Sequence, residues 1–134
     1  MQARGIHHLG VAVDDLEAAL STYERLFGAE VEYRATVEEQ GVRAVSLRVG
    51  GGRVELLEPL GADTPVGRFL AKRGPGMHHV AFEVSDLPAT LAELTREGAD
   101  LIDEAPREGL FGLEVAFIHP DSVHGVLAEV VAGE

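Results

Sequence analysis

Two histidine pairs, His7-His8 and His78-His79, each open a β-like run, and two glutamates, Glu55 and Glu129, each stand alone inside an apolar run. An isolated carboxylate is costly to bury, and a bound cation removes that cost. The chain has no cysteine, so a metal would have to be held by imidazole and carboxylate. Two histidines and two glutamates form a nitrogen/oxygen donor set suited to cobalt, nickel, manganese, iron or zinc rather than to cuprous copper. Four protein ligands on an octahedral ion leave two positions for a bidentate substrate. Such a site stabilises negative charge that develops on a carbonyl oxygen when a neighbouring C–H loses its proton.

The elements that must position these residues repeat. Ile6–Arg25 laid over Met77–Arg96 matches His7, His8, Val13, Asp15, Leu16, Ala18, Leu20 and Arg25 with His78, His79, Val84, Asp86, Leu87, Ala89, Leu91 and Arg96. Each segment reads as a strand followed by an acidic helix start. Leu16, Ala19, Leu20, Tyr23, Leu26 and Phe27 keep a helical spacing that Gly28 ends, and Leu87, Leu91 and Leu94 do the same up to Gly98. Strand-like runs follow at about Ala29–Thr36, Arg43–Val49 and Arg53–Glu58, the last two joined as a hairpin by Gly50-Gly51-Gly52. The second copy offers about Asp100–Glu104, Leu113–His119 and Val126–Val131. Each half is therefore β-α-β-β-β, an α+β fold of two modules, 5–60 and 77–134. A linker, 61–76, carries a short helix that starts at Asp63-Thr64-Pro65 and stops at Gly74-Pro75-Gly76.

Strand parity chooses between the paired histidines. His7 shares a face with Leu9, Val11 and Val13, the bulky set that a helix would cover. His8 shares the opposite face with Gly10 and Ala12, which leave room. In the second copy His78 lies with Val80, Phe82 and Val84, and His79 with Ala81 and Glu83. A single histidine at a strand start, or a single glutamate on an edge strand, is better read as structural. Four at equivalent repeat positions favour a metal centre of His8, Glu55, His79 and Glu129.

Bulk properties exclude other classes. The 134 residues suit one domain, and 46% hydrophobic residues suffice for a core. Eleven Lys+Arg against 23 Asp+Glu give a net charge of −12, which repels nucleic-acid phosphates. No apolar run is long enough to span a membrane. The N-terminus has no apolar signal core, so a cytoplasmic protein is expected. One lysine, no asparagine and two glutamines fit either thermophily or a GC-rich genome.

Several stretches carry a family resemblance. They are His8-Leu9-Gly10-Val11-Ala12-Val13 with Asp15-Leu16-Glu17, Glu39-Gln40-Gly41-Val42, Glu55-Leu56-Leu57-Glu58-Pro59-Leu60, and Thr64-Pro65-Val66 with Phe69-Leu70-Ala71-Lys72. Gly76-Met77-His78-His79, Phe117-Ile118-His119-Pro120 and Gly125-Val126-Leu127-Ala128-Glu129 complete the set. Together they resemble the vicinal oxygen chelate (glyoxalase) superfamily and, within it, the methylmalonyl-CoA epimerase family, over nearly the whole chain. The resemblance implies an incomplete mixed-sheet barrel around a divalent metal held by His8, Glu55, His79 and Glu129, and usually a homodimer. It implies interconversion of (2R)- and (2S)-methylmalonyl-CoA, an acyl-CoA substrate, through an enolate.

Epimerisation needs a proton removed from one face and returned to the other, so two acid/base groups are expected. Some family members carry a glutamate where this chain has Ala44; Glu55 and Glu129 are then the expected bases. Asp121 stands where relatives often have lysine after His-Pro. Arg68, Lys72, Arg73 and Arg107 are candidate cations for coenzyme A phosphates, with solvated surface charge as the alternative. Gln40 is a candidate substrate contact, or a plain turn residue. Phe111, within Gly109-Leu110-Phe111-Gly112, is a candidate lid residue, or part of an ordinary connection. The rival functions are a glyoxalase I-like lactoylglutathione lyase and a non-catalytic small-ligand-binding protein on the same scaffold.

Overall fold

A computed structural model describes residues 2–133. The expected α+β class and paired βαβββ modules are borne out, each copy supplying four strands of mixed sheet. The first copy comprises β1 (Gly5–Ala12), α1 (Leu16–Phe27), β2 (Glu30–Val37), β3 (Val42–Val49) and β4 (Gly52–Pro59). Next comes α2 (Pro65–Arg73). The second copy comprises β5 (Gly76–Val84), α3 (Leu87–Arg96), β6 (Arg107–Glu108), β7 (Glu114–Ile118) and β8 (Ala128–Ala132).

By contacts the chain falls into two units. One is His8–His78; the other joins the residues up to His7 with those from His79 onward. In the first, β4 runs parallel to β1 and antiparallel to β3, and β3 pairs antiparallel with β2. Asp15 caps α1, its carboxylate accepting from the Ala18 N–H, and Gly28 ends the helix at φ 65°. The helix covers one sheet face through Leu16 and Leu20 against Val13, Val45, Leu47 and Leu56. Thr64 caps α2 by accepting from the Gly67 N–H, with Pro65 in the first turn.

The second unit repeats the plan. β8 runs parallel to β5 and antiparallel to β7, which pairs with β6. Asp86 caps α3 as Asp15 caps α1. Leu87 and Leu91 pack on Val84, Ala116, Ile118, Ala128 and Val130.

One expected strand differs. Asp100–Glu104 forms a single bridge, Leu101 to Ile118, and the outer strand is β6 instead. The backbone N–H groups of Ile102 and Asp103 both donate to the Phe117 carbonyl. The Asp103 carboxylate in turn accepts from the Phe117 N–H at 2.8 Å. A side chain here takes over a ladder position, which a propensity pattern does not reveal.

Candidate metal centre

In the unit His8–His78, β4 places Glu55 opposite Gly10 on one side and Ser46 on the other. His8 lies two residues before Gly10, on the same face. Its Nε2 sits 3.3 Å from the Glu55 Oε2. The helix-facing core lies on the other side of the same strands, so these polar groups occupy the face that the bulky side chains vacate. Both are buried, at 3% and 4% exposure. Burial lowers the His8 pKa, opposed by Glu55 and assisted by Arg53. The imidazole is thus held neutral, the form that ligates a metal.

Further charges stand beside this pair. Arg53, on β4, donates through Nε to Glu32 at 2.9 Å, and the buried Ser46 hydroxyl donates to the same carboxylate oxygen at 3.3 Å. Sequence reasoning missed Glu32, Ser46 and Arg53. Their one signal was parity, since Arg53 alternates with Glu55 and Ser46 with Ala44. Ala44 itself is fully buried and offers no acid/base group.

In the other unit, β8 places Glu129 opposite Ala81 and Phe117. His79 Nε2 lies 3.8 Å from Glu129 Oε1, and both are buried. Burial pushes the Glu129 carboxyl up to about 8, with Arg107 opposing and Asp103 reinforcing the rise. A carboxyl poised there can hold a proton near neutral pH. The Phe117 ring meets the His79 imidazole edge-on at 5.7 Å. This contact, too, was not legible beforehand, because Val115–Ile118 is an unbroken apolar run with no parity signal.

Parity chose His8 and His79. His7 is nonetheless buried too, while His78 is half-buried and stacks edge-on against Phe69 at 5.0 Å. The remaining candidates are more dispersed. Arg68 is exposed and bonded to Asp63 through the backbone carbonyl and the carboxylate. Lys72 is exposed in the last turn of α2, and Arg73 lies over the Phe69 ring. Gln40 ends a 3-10 turn, Glu38–Gln40. Phe111 sits in a second turn, Leu110–Gly112, at φ 59°, a conformation uncommon for a bulky residue. Gly109 has no space for a side chain, because a Cβ there would meet Val115 at 2.7 Å. Asp121 is exposed, its backbone N–H bonded to His119 Nδ1. Among the described residues no helix is long and apolar enough to cross a membrane.

Comparison with known proteins gives concordant results. Residues 7–117 match the Glyoxalase/Bleomycin resistance protein/Dioxygenase superfamily. The mitochondrial methylmalonyl-CoA epimerase of Bos taurus is 38% identical, over 93% of this chain and 72% of that protein. An ethylmalonyl-CoA/methylmalonyl-CoA epimerase of Cereibacter sphaeroides is 35% identical, over 93% and 95% respectively. A Streptomyces coelicolor methylmalonyl-CoA epimerase variant, solved in complex with 2-nitronate-propionyl-CoA, superposes with a TM-score of 0.94. It is 38% identical over 98% of this chain and 96% of that one.

Proposed function

The chain belongs to the glyoxalase/bleomycin resistance protein/dioxygenase superfamily, and on that premise we propose that it is a metal-dependent methylmalonyl-CoA epimerase. One observation carries the proposal: a buried His–Glu pair occurs in each repeat, on a chain 35–38% identical to proteins named as methylmalonyl-CoA or ethylmalonyl-CoA/methylmalonyl-CoA epimerases.

His8, Glu55, His79 and Glu129 would hold one divalent cation. Support comes from the buried pair that each unit holds within itself, His8 against Glu55 at 3.3 Å and His79 against Glu129 at 3.8 Å. The donor chemistry fits cobalt, nickel, manganese or zinc. When bound, the cation supplies positive charge toward the thioester oxygen as the C2 proton leaves. Glu55 and Glu129, at equivalent positions of the two repeats, each serve one face of the resulting enolate. A carboxylate has two oxygens, so one can ligate while the other exchanges a proton. The half-buried Phe117 ring beside His79 keeps water from that side of the carboxylate. Arg68, Lys72, Gln40 and Phe111 belong to the same proposal as contacts for the acyl-CoA substrate. A homodimer also belongs to it, supported by the exposed apolar side chains Leu26, Phe27, Val31 and Tyr33 and checked by sedimentation equilibrium.

The test supplies one epimer of methylmalonyl-CoA to cobalt-loaded protein and follows the other by chiral chromatography. A glutathione hemithioacetal is run in parallel. Appearance of the second epimer without lactoylglutathione supports the assignment. Lactoylglutathione alone would transfer it to the lyase, and turnover of neither to a binding protein. Glu129→Gln, which keeps an oxygen ligand, should retain metal and lose epimerisation.

A further inference from the structure

Arg107 is held by two contacts beside the His79–Glu129 pair. Its Nε lies 3.3 Å from Asp103 Oδ2, an ion pair four residues apart. Its guanidinium carbon sits 5.4 Å from the centre of the Phe117 ring. Asp103 is itself anchored, since it accepts from the Phe117 N–H at 2.8 Å. Phe117 stands opposite Glu129 across β7 and β8, and its ring touches His79. The guanidinium is therefore seated on a ring that also packs on a proposed metal ligand. The ion pair uses Nε. The two terminal NH2 groups have no partner among the described residues, although half of the side chain is exposed. A planar fork with its outer donors open matches a carboxylate bidentately.

We propose that Arg107 is the specificity-determining residue for the substrate, gripping the free carboxylate on C2 of a malonyl-type acyl-CoA. This rests on the epimerase assignment above. The C2 carboxylate is one bond from the reacting carbon, and Arg107 is one ring away from His79. Coenzyme A phosphates lie a long pantetheine arm away from that carbon. The influence of the Arg107 charge on Glu129 agrees with this closeness. Asp103 keeps the cation neutralised and oriented until an incoming carboxylate adds a second partner.

Binding to metal-loaded wild type, Arg107→Gln and Arg107→Lys tests the proposal, using methylmalonyl-CoA and propionyl-CoA, which lacks the C2 carboxylate. Circular dichroism and metal content verify that each variant folds. If the glutamine variant misfolds, the lysine variant carries the comparison. Arg107→Gln should bind methylmalonyl-CoA about tenfold more weakly and propionyl-CoA within about twofold of wild type, the size expected for a charge-assisted pair. Lysine should fall between, as a point charge without the fork. Equal losses for both ligands would place Arg107 on the coenzyme A moiety and overturn the proposal; so would no loss for either. A wild-type protein that binds neither ligand overturns the epimerase assignment itself, an outcome read without any variant.

Discussion

Metal binding should expel a proton from Glu129, and the number can be worked out. Burial raises that carboxyl from its ordinary 4.5 to about 8, so at pH 7 only about one metal-free molecule in ten has it ionised. Ligation requires the anion, so each ion bound at pH 7 should release about 0.9 proton from this residue. The apparent affinity should fall about tenfold for each pH unit below 8 and level off above it. His8 adds little, because burial lowers its pKa and it is already neutral in this range. Calorimetric titration of metal into stripped protein, in two buffers of different ionisation enthalpy, counts the protons. Glu129→Gln provides the reference, since glutamine offers an oxygen with no proton to lose. Wild type should release nearly one proton more than the variant at pH 7, and the excess should vanish by pH 9. Equal proton release by the two proteins, or an affinity indifferent to pH between 6 and 8, would refute the burial of Glu129 as the controlling effect.

Metal-free protein should lose stability as pH rises between 4.5 and about 8. The folded state holds the Glu129 proton more tightly than the unfolded state does, a contribution of up to ~1.4 kcal/mol per pH unit; urea titrations should find the slope of Glu129→Gln to differ from that of wild type by this contribution. Asp15→Ala and Asp86→Ala each remove a helix cap of the same geometry, so each should cost about 1 kcal/mol, and by similar amounts in chemical denaturation. Gly67→Ala drives a Cβ into the carbonyl oxygens of Gly61 and Ala62; it should destabilise by about 2 kcal/mol or more by thermal melting, because backbone cannot yield as a side chain would.

Much of this fold was legible because the chain states it twice. The histidine pairs, Asp15 and Asp86, and the leucines behind them mark strand, cap and helix in each copy. Gly50-Gly51-Gly52 marks the hairpin that β3 and β4 form. Parity on β1 and β5 turned two histidine pairs into His8 and His79, and both lie beside the glutamates of β4 and β8. The second copy was less legible where side chains replace ladder contacts. Asp103 caps the Phe117 N–H, so the strand expected at Asp100–Glu104 is displaced to Arg107–Glu108. The neighbours of the glutamates were hidden for a related reason. Ser46 and Phe117 reach them through cross-strand register, which a single strand's pattern does not contain. Glu32 reaches Arg53 from β2, beside a register shift between Val31 and Tyr33.

The central claim is that four ligands from two repeats activate C2 of a malonyl-type thioester. Deuterium wash-in at C2 of methylmalonyl-CoA, followed by mass spectrometry in heavy water, tests it most directly. Protein stripped with a chelator should incorporate no deuterium above the buffer rate, and cobalt should restore rapid incorporation in step with epimer formation. Undiminished wash-in by the stripped protein, or none by the cobalt-loaded protein, would contradict the account.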